Sequence, residues 1–204
     1  MATGTKIKYR LALAAYSAAK GVKAVVFFGM LWLLGGVELS LRTEPPREFR
    51  ASVACLAIGA AAAMVLFLRA RRTRGVTREL ATAPGNSQAQ ARRSRNFLLV
   101  NIGQYALIGA ACAALIILRR TDLIVSSVIF IVGAHFVPLA KLFKNPRMYL
   151  TGGVLMAWAL LYPHVLPMGG WNPLGLSVTG LLLVGSGMWS SVRAWDLAER
   201  ATGS

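Results

Sequence analysis

Six apolar runs, separated by connections that carry most of the arginine, leave the chain little choice of solvent. The runs are Ala24–Leu41, Ala51–Leu68, Phe97–Leu118, Leu123–Ala140, Tyr149–Pro163 and Pro173–Val192. About 20 predominantly apolar residues carry a helix across the hydrocarbon core. At that depth only a helix or a closed barrel satisfies its own backbone. The fifth run is short and extends toward Leu166. It is bounded by Pro163, Pro167, Gly169, Gly170 and Pro173, which no single helix runs through.

Composition supports the same medium. The 204 residues are 56% hydrophobic and only 15% charged, against about 25% charged in soluble domains. The expected fold is therefore all-α: a polytopic membrane bundle of six transmembrane helices forming a single domain over residues 1–204. Residues 5–22 begin with Lys6, Lys8 and Arg10 and are interrupted by Lys20. They read as an interfacial amphipathic helix leading into the first span, because no small-residue cleavage site follows.

A net charge of +16 raises nucleic-acid binding, since basic patches neutralise phosphates. The placement of the cations argues against it. They avoid the apolar runs and alternate between connections, as topology-setting charges do. One set of connections holds Lys6, Lys8, Arg10, Lys20, Lys23, Arg69, Arg71, Arg72, Arg74, Arg78, Arg92, Arg93, Arg95, Lys141, Lys144, Arg147, Arg193 and Arg200. The other holds only Arg42, Arg47, Arg50, Arg119 and Arg120. The positive-inside rule then puts both termini in the cytoplasm. The long connection Arg69–Asn96 becomes a basic cytoplasmic loop, either simply solvated or held against the anionic inner leaflet. Three spans on each side of residue 120 permit an inverted repeat of the transporter kind, although no residue-level self-similarity accompanies it.

Few polar groups fall within the runs, and intramembrane polar groups are functional candidates by default. Asn101, Gln104 and Tyr105 lie early in the third run, and His135 lies in the fourth, three residues before Pro138. Gln104 sits roughly 12 Å above the start of its span and His135 roughly 9 Å from the same surface. On antiparallel neighbours these groups share a depth. Pro138 lacks an N–H and disturbs the carbonyl of Ala134, so a freed carbonyl adds to an imidazole and two amides. Two readings follow: interhelical hydrogen bonds worth about 0.6–2 kcal/mol, or a ligand or ion site formed by His135, Asn101, Gln104, Tyr105 and Pro138.

Other chemistry finds little support. His164 lies at the opposite end of the membrane from His135, so the two do not share an ion, and neither a metal nor a cofactor is expected. Ser126 and Ser127 lie on the helix of His135, about 12 Å or more along it, too far for a nucleophile–base pair. An intramembrane enzyme thus ranks third, behind a permease- or channel-like protein and a non-catalytic assembly subunit. Glu38 is placed to pair with Arg42 at i,i+4, and Asp122 sits beside Arg119 and Arg120 in a turn. Cys55 and Cys112 read as small apolar-run residues.

Small residues at Gly35–Gly36, Ala57–Ala63, Gly109–Ala114, Gly152–Gly153 and the row Gly180, Leu183, Gly187, Ser190 predict close helix packing. Tyr149, Trp189 and Trp195 suit the inner interface, and Tyr162 and Trp171 the outer one. The segments Gly133–Phe143, Asn101–Gln104 and Tyr149–Gly152 together resemble small, uncharacterised bacterial multi-pass inner-membrane proteins with a His-Phe-x-Pro-Leu-Ala-type motif, here His135–Ala140. The resemblance implies that His135 and Pro138 belong to a shared motif, and brings no activity with it. Expected partners are the lipid bilayer, a small-molecule or ion ligand, and a membrane-protein partner or second copy.

The charge pattern makes a direct prediction. Reporter fusions at Gly85, Asn145 and Ser204 should report the cytoplasm, and those at Pro45, Thr121 and Met168 the opposite side. A fusion at Gly85 reporting the outer side would reverse the assignment.

Overall fold

A computed structural model describes residues 22–23, 25–42, 46–72, 87–143, 145–166 and 169–202. The described residues form six long helices and two short 3₁₀ turns. In chain order these are α1 (Val25–Arg42), α2 (Pro46–Arg72), α3 (Ser87–Ile117), a turn at Thr121–Leu123, α4 (Ile124–Phe143), α5 (Arg147–Val165), a turn at Gly169–Trp171, and α6 (Pro173–Thr202).

Five segments are long and apolar enough to cross a bilayer: Val25–Arg42, Phe49–Leu68, Ser94–Ile117, Thr121–Phe143 and Pro173–Val192. By helix length and hydropathy the chain is a multi-pass helical membrane protein. The 19-residue α5 is not among the five. It spends its length on Arg147, Thr151, Trp158, Tyr162, Pro163 and His164. The large side chains left on the outside, among them Phe27, Leu31, Ile58, Leu98, Ile102, Leu107 and Leu160, form the apolar coat that hydrocarbon requires.

Helix ends follow local chemistry. Asn172 caps α6: its Oδ1 accepts from the backbone N–H of Leu174 at 2.8 Å and of Gly175 at 3.2 Å, and Pro173 fills the first helical position, where its missing N–H costs nothing. α3 ends in a Schellman arrangement, with Arg120 N–H donating to Leu115 O at 2.8 Å and Arg119 N–H to Ile116 O at 3.0 Å. Arg119 takes the left-handed position of that motif with φ 55°, where glycine is the usual occupant.

The basic connection is shorter than the expected loop Arg69–Asn96. α2 continues to Arg72 and α3 begins at Ser87, because Arg, Gln and Ala are good helix formers. Only residues 73–86 of that connection, along with the expected interfacial helix short of Val22, lie outside the described residues.

The bundle is arranged as a row, α3–α4–α5–α6, with α1 and α2 packed on the far side of α6. Glycine sets the closest seams. A Cβ on Gly152 would lie 2.6 Å from Gly133 O, and one on Gly133 would lie 2.9 Å from Gly152 O and from Met156 N. α4 and α5 therefore meet backbone to backbone. Across α1–α6, a Cβ on Gly180 would lie 2.7 Å from Gly29 O, and one on Gly36 would lie 2.9 Å from Pro173 O. Leu33, Ile129, Leu155, Leu183 and Tyr162 fill the spaces between these seams.

Two expectations change here. Tyr162, read as an outer-interface anchor, is fully buried; its ring lies on Gly175 and stacks on Trp158 at 5.5 Å, and its hydroxyl donates to Gly170 O at 2.8 Å. The glycine opposite the ring leaves room for it in the core. The run Gly109–Ala114 was expected to pack closely. Yet a Cβ on Gly109 or Gly103 would meet nothing within 4 Å, and no residue of the Ser94–Ile117 window is buried. α3 is the peripheral helix.

The seam between α4 and α5 can be tested by adding one methyl group. Gly152→Ala should destabilise the protein by about 1–3 kcal/mol, the range for overpacked sites, because the obstacle is backbone. Gly153→Ala, facing open space, should be neutral or slightly stabilising, since alanine is the better helix former. Thermal unfolding midpoints of the two variants in detergent micelles, compared with the parent protein, check this.

Candidate functional site

The row arrangement gives each intramembrane polar group a defined neighbour. On α4, Gly133, Phe136 and Ala140 are buried, and Gly133 and Phe136 meet Gly152 of α5. His135, Pro138 and Leu142 lie on another row of the helix, three and four residues apart. Pro138 and Leu142 line a cavity against α3, so His135 heads the row that faces α3.

On α3 the half-buried positions are Phe97, Val100, Asn101, Gln104, Ile108, Ala111, Cys112 and Leu115, the three-and-four spacing of a helix with one partner. Register follows from two meetings. The Phe97 and Phe143 rings lie 5.9 Å apart edge to face, and Val100 shares the cavity wall with Pro138. Antiparallel helices advance together at about 1.5 Å per residue. Gln104 therefore comes level with His135, and Asn101 lies about one turn nearer the basic end.

The expected site residues divide accordingly. Gln104 and His135 are both half-buried, and neither forms a hydrogen bond with a described residue. Asn101 is committed locally: its Nδ2 donates to Phe97 O at 3.0 Å, one turn back on its own helix. Pro138 lines the cavity without reaching the core. Tyr105 is 56% exposed and stands four residues on from Asn101 and three before Ile108, at the edge of the half-buried row.

The cavity has a volume of about 460 Å³ and is lined by Asn96, Leu99, Val100, Pro138, Lys141 and Leu142. It sits at the basic end of the α3–α4 groove, one to two turns from the Gln104–His135 level. Asn96 and Lys141 are the groups that composition did not single out. Both stand at span boundaries, about two helical turns from Gln104 on α3 and from His135 on α4.

The buried hydroxyls elsewhere in the bundle have partners. Thr151 Oγ1 and Ser186 Oγ stand 2.8 Å apart across α5–α6, and Ser40 Oγ donates to Ser52 Oγ at 3.0 Å across α1–α2. Trp158 Nε1 donates to Gly175 O at 3.2 Å. Arg147 donates to Trp189 O at 2.8 Å, with its guanidinium 5.0 Å from the centre of the Trp189 ring. These are the interhelical bonds of a membrane core. Glu38 pairs with Arg42 and Asp122 with Arg120, both at the exposed surface. Among the described residues no three His, Cys, Asp or Glu side chains converge to hold a metal ion.

No protein-family model, curated protein or solved structure matches the chain.

Proposed function

We propose that this chain is a small permease-like protein of a bacterial inner membrane, with both termini in the cytoplasm and a polar ligand site in the inner half of its α3–α4 groove. In this reading Gln104 and His135 supply the hydrogen bonds to ligand, Asn101 and Pro138 border the site, and Tyr105 stands at its lipid-facing margin. The observation that carries it is the contrast in hydrogen bonding. The buried hydroxyls of α1, α2, α5 and α6 are partnered within the protein, whereas the half-buried amide of Gln104 and imidazole of His135 face one groove with no described partner. A polar group taken from water without a partner costs several kcal/mol in an apolar medium, so two at one level favour a site over helix–helix bonding.

Two features support the finer architecture. The cation asymmetry supports the orientation. For α5 as a sixth span, 19 residues reach about 28 Å at 1.5 Å per residue, close to the hydrocarbon thickness of about 30 Å. Its polar residues Thr151 and Tyr162 are buried and bonded inside the bundle, while Leu150, Val154, Leu160 and Leu161 face outward. Its low hydropathy thus reflects a helix that lends polar groups to its neighbours. The glycine seams α4–α5 and α1–α6 favour a groove-entry permease over a channel running through the bundle.

A second reading, a non-catalytic assembly subunit, is favoured by α3 itself, whose open glycines and exposed alanines suit a partner helix. It predicts a stable complex after gentle detergent extraction.

A thermal-shift screen of small ions, amino acids and organic amphiphiles on purified protein decides between them. A ligand that stabilises the parent protein should bind about 3–10-fold more weakly to His135→Ala and to Gln104→Ala, as expected for one lost hydrogen bond. Both variants should keep the unliganded unfolding midpoint within a few degrees. Undiminished stabilisation in both variants would refute the site.

A further inference from the structure

The mouth of the α3–α4 groove differs from the rest of the lipid-facing surface. Its walls are the apolar side chains of Leu99, Val100, Pro138 and Leu142, and its rim carries the amide of Asn96 and the ammonium of Lys141. The volume of about 460 Å³ falls within the range of about 300–1,000 Å³ for small-molecule sites. Arg92 lies one turn from Asn96 on the same row of α3 and is exposed, as is Arg95. No described carboxylate pairs with Lys141, Arg92 or Arg95; the acidic partners that ion pairs do use, Glu38 and Asp122, belong to Arg42 and Arg120. Because α3 packs mainly on α4, the groove opens sideways to acyl chains as well as endwise to the headgroup layer.

We propose that this mouth binds one anionic phospholipid drawn from the surrounding bilayer. Lys141 and Asn96 hold the phosphate, with Arg92 adding charge from one turn away, and one acyl chain lies along Leu99, Val100 and Leu142. Lysine binds phosphate as a point charge, and basic pockets between transmembrane helices at headgroup depth select anionic lipids. A zwitterionic lipid offers the same phosphate but brings its own cation against Lys141 and Arg92, so headgroup charge decides occupancy. The inference reaches beyond the Gln104–His135 site and does not require it.

The test uses full-length protein, delipidated by detergent exchange and titrated with dioleoyl phosphatidylglycerol or dioleoyl phosphatidylcholine, with bound lipid counted by native mass spectrometry. One phosphatidylglycerol per chain should bind at a concentration at least about tenfold below that needed for phosphatidylcholine. Lys141→Ala should reduce this preference about fivefold, the weight of one cation at an anionic headgroup, and Lys141→Arg should restore most of it. Leu99→Trp, which fills the apolar wall, should weaken both lipids. Arg119→Gly, at the opposite end of α3, should change nothing, and neither should His135→Ala, so that failure here is separable from failure of the ligand site. Equal binding of the two lipids, a preference that survives Lys141→Ala, or an equal loss in Arg119→Gly would overturn the proposal. Displacement by inorganic phosphate at matching concentrations would overturn the lipid as its source.

Discussion

Hydrocarbon offers a peptide group no hydrogen bond, and each unsatisfied N–H or C=O at depth costs several kcal/mol. Secondary structure in such a medium is settled before tertiary structure begins, and the hydrophobic effect then does little to bring helices together. Close approach has to do that work. The Gly133–Gly152 and Gly29–Gly180 seams bring peptide groups of neighbouring helices into van der Waals contact, where many small dispersion gains add up. Every larger side chain in the core takes the space those seams leave. Tyr162 shows this most directly, since its ring occupies the place a Cβ on Gly175 would take.

Hydrogen bonds supplement the seams where helices stand further apart. The Thr151–Ser186 and Ser40–Ser52 pairs and the Trp158 bond to Gly175 O bridge α5–α6 and α1–α2 at different depths. Serine and threonine can also return a hydroxyl to their own helix, as Thr179 does to Gly175 O and Ser177 to Pro173 O, so that a polar residue can be buried without a partner helix. Against this background the α3–α4 groove stands out: its two helices share an aromatic pair and a cavity in place of a glycine seam.

How far the sequence discloses this depends on the range of the interaction. Span positions follow from local hydropathy, and five of the six expected runs coincide with helices of sufficient length and apolarity. α5 is harder to read because its polar residues make sense only once Ser186 and Gly170 are known to face Thr151 and Tyr162. The row Gly180, Leu183, Gly187 was legible as a packing face, and Gly180 indeed meets Gly29 and Gly187 meets Val26 of α1. The equally glycine-bearing stretch of α3 meets nothing, because composition records the capacity to pack and not the presence of a partner. Gln104 and His135 are legible as a pair only through depth, each lying a similar distance from the basic end of its span. Tyr105 borders the same row four residues on from Asn101, and Asn96 and Lys141 stand at span boundaries, where hydropathy alone does not mark them.

The position of α3 ties these observations together. A helix with one neighbour has fewer interactions to break when it shifts, and elements that move during function come from the less stable part of a fold. The glycine seams hold α1, α4, α5 and α6 backbone to backbone, whereas α3 leans on α4 through Phe97 and through the walls of a cavity. In the proposed reading, widening that one interface would expose Gln104 and His135 without disturbing any glycine seam. Any molecule seated at Asn96 and Lys141 bridges the same two helices, so occupancy of the mouth and access to the polar level above it draw on a single coordinate, the separation of α3 from α4. A ligand shifts such an equilibrium only by its difference in affinity for the two states, and a group that touches both helices is the kind that has one.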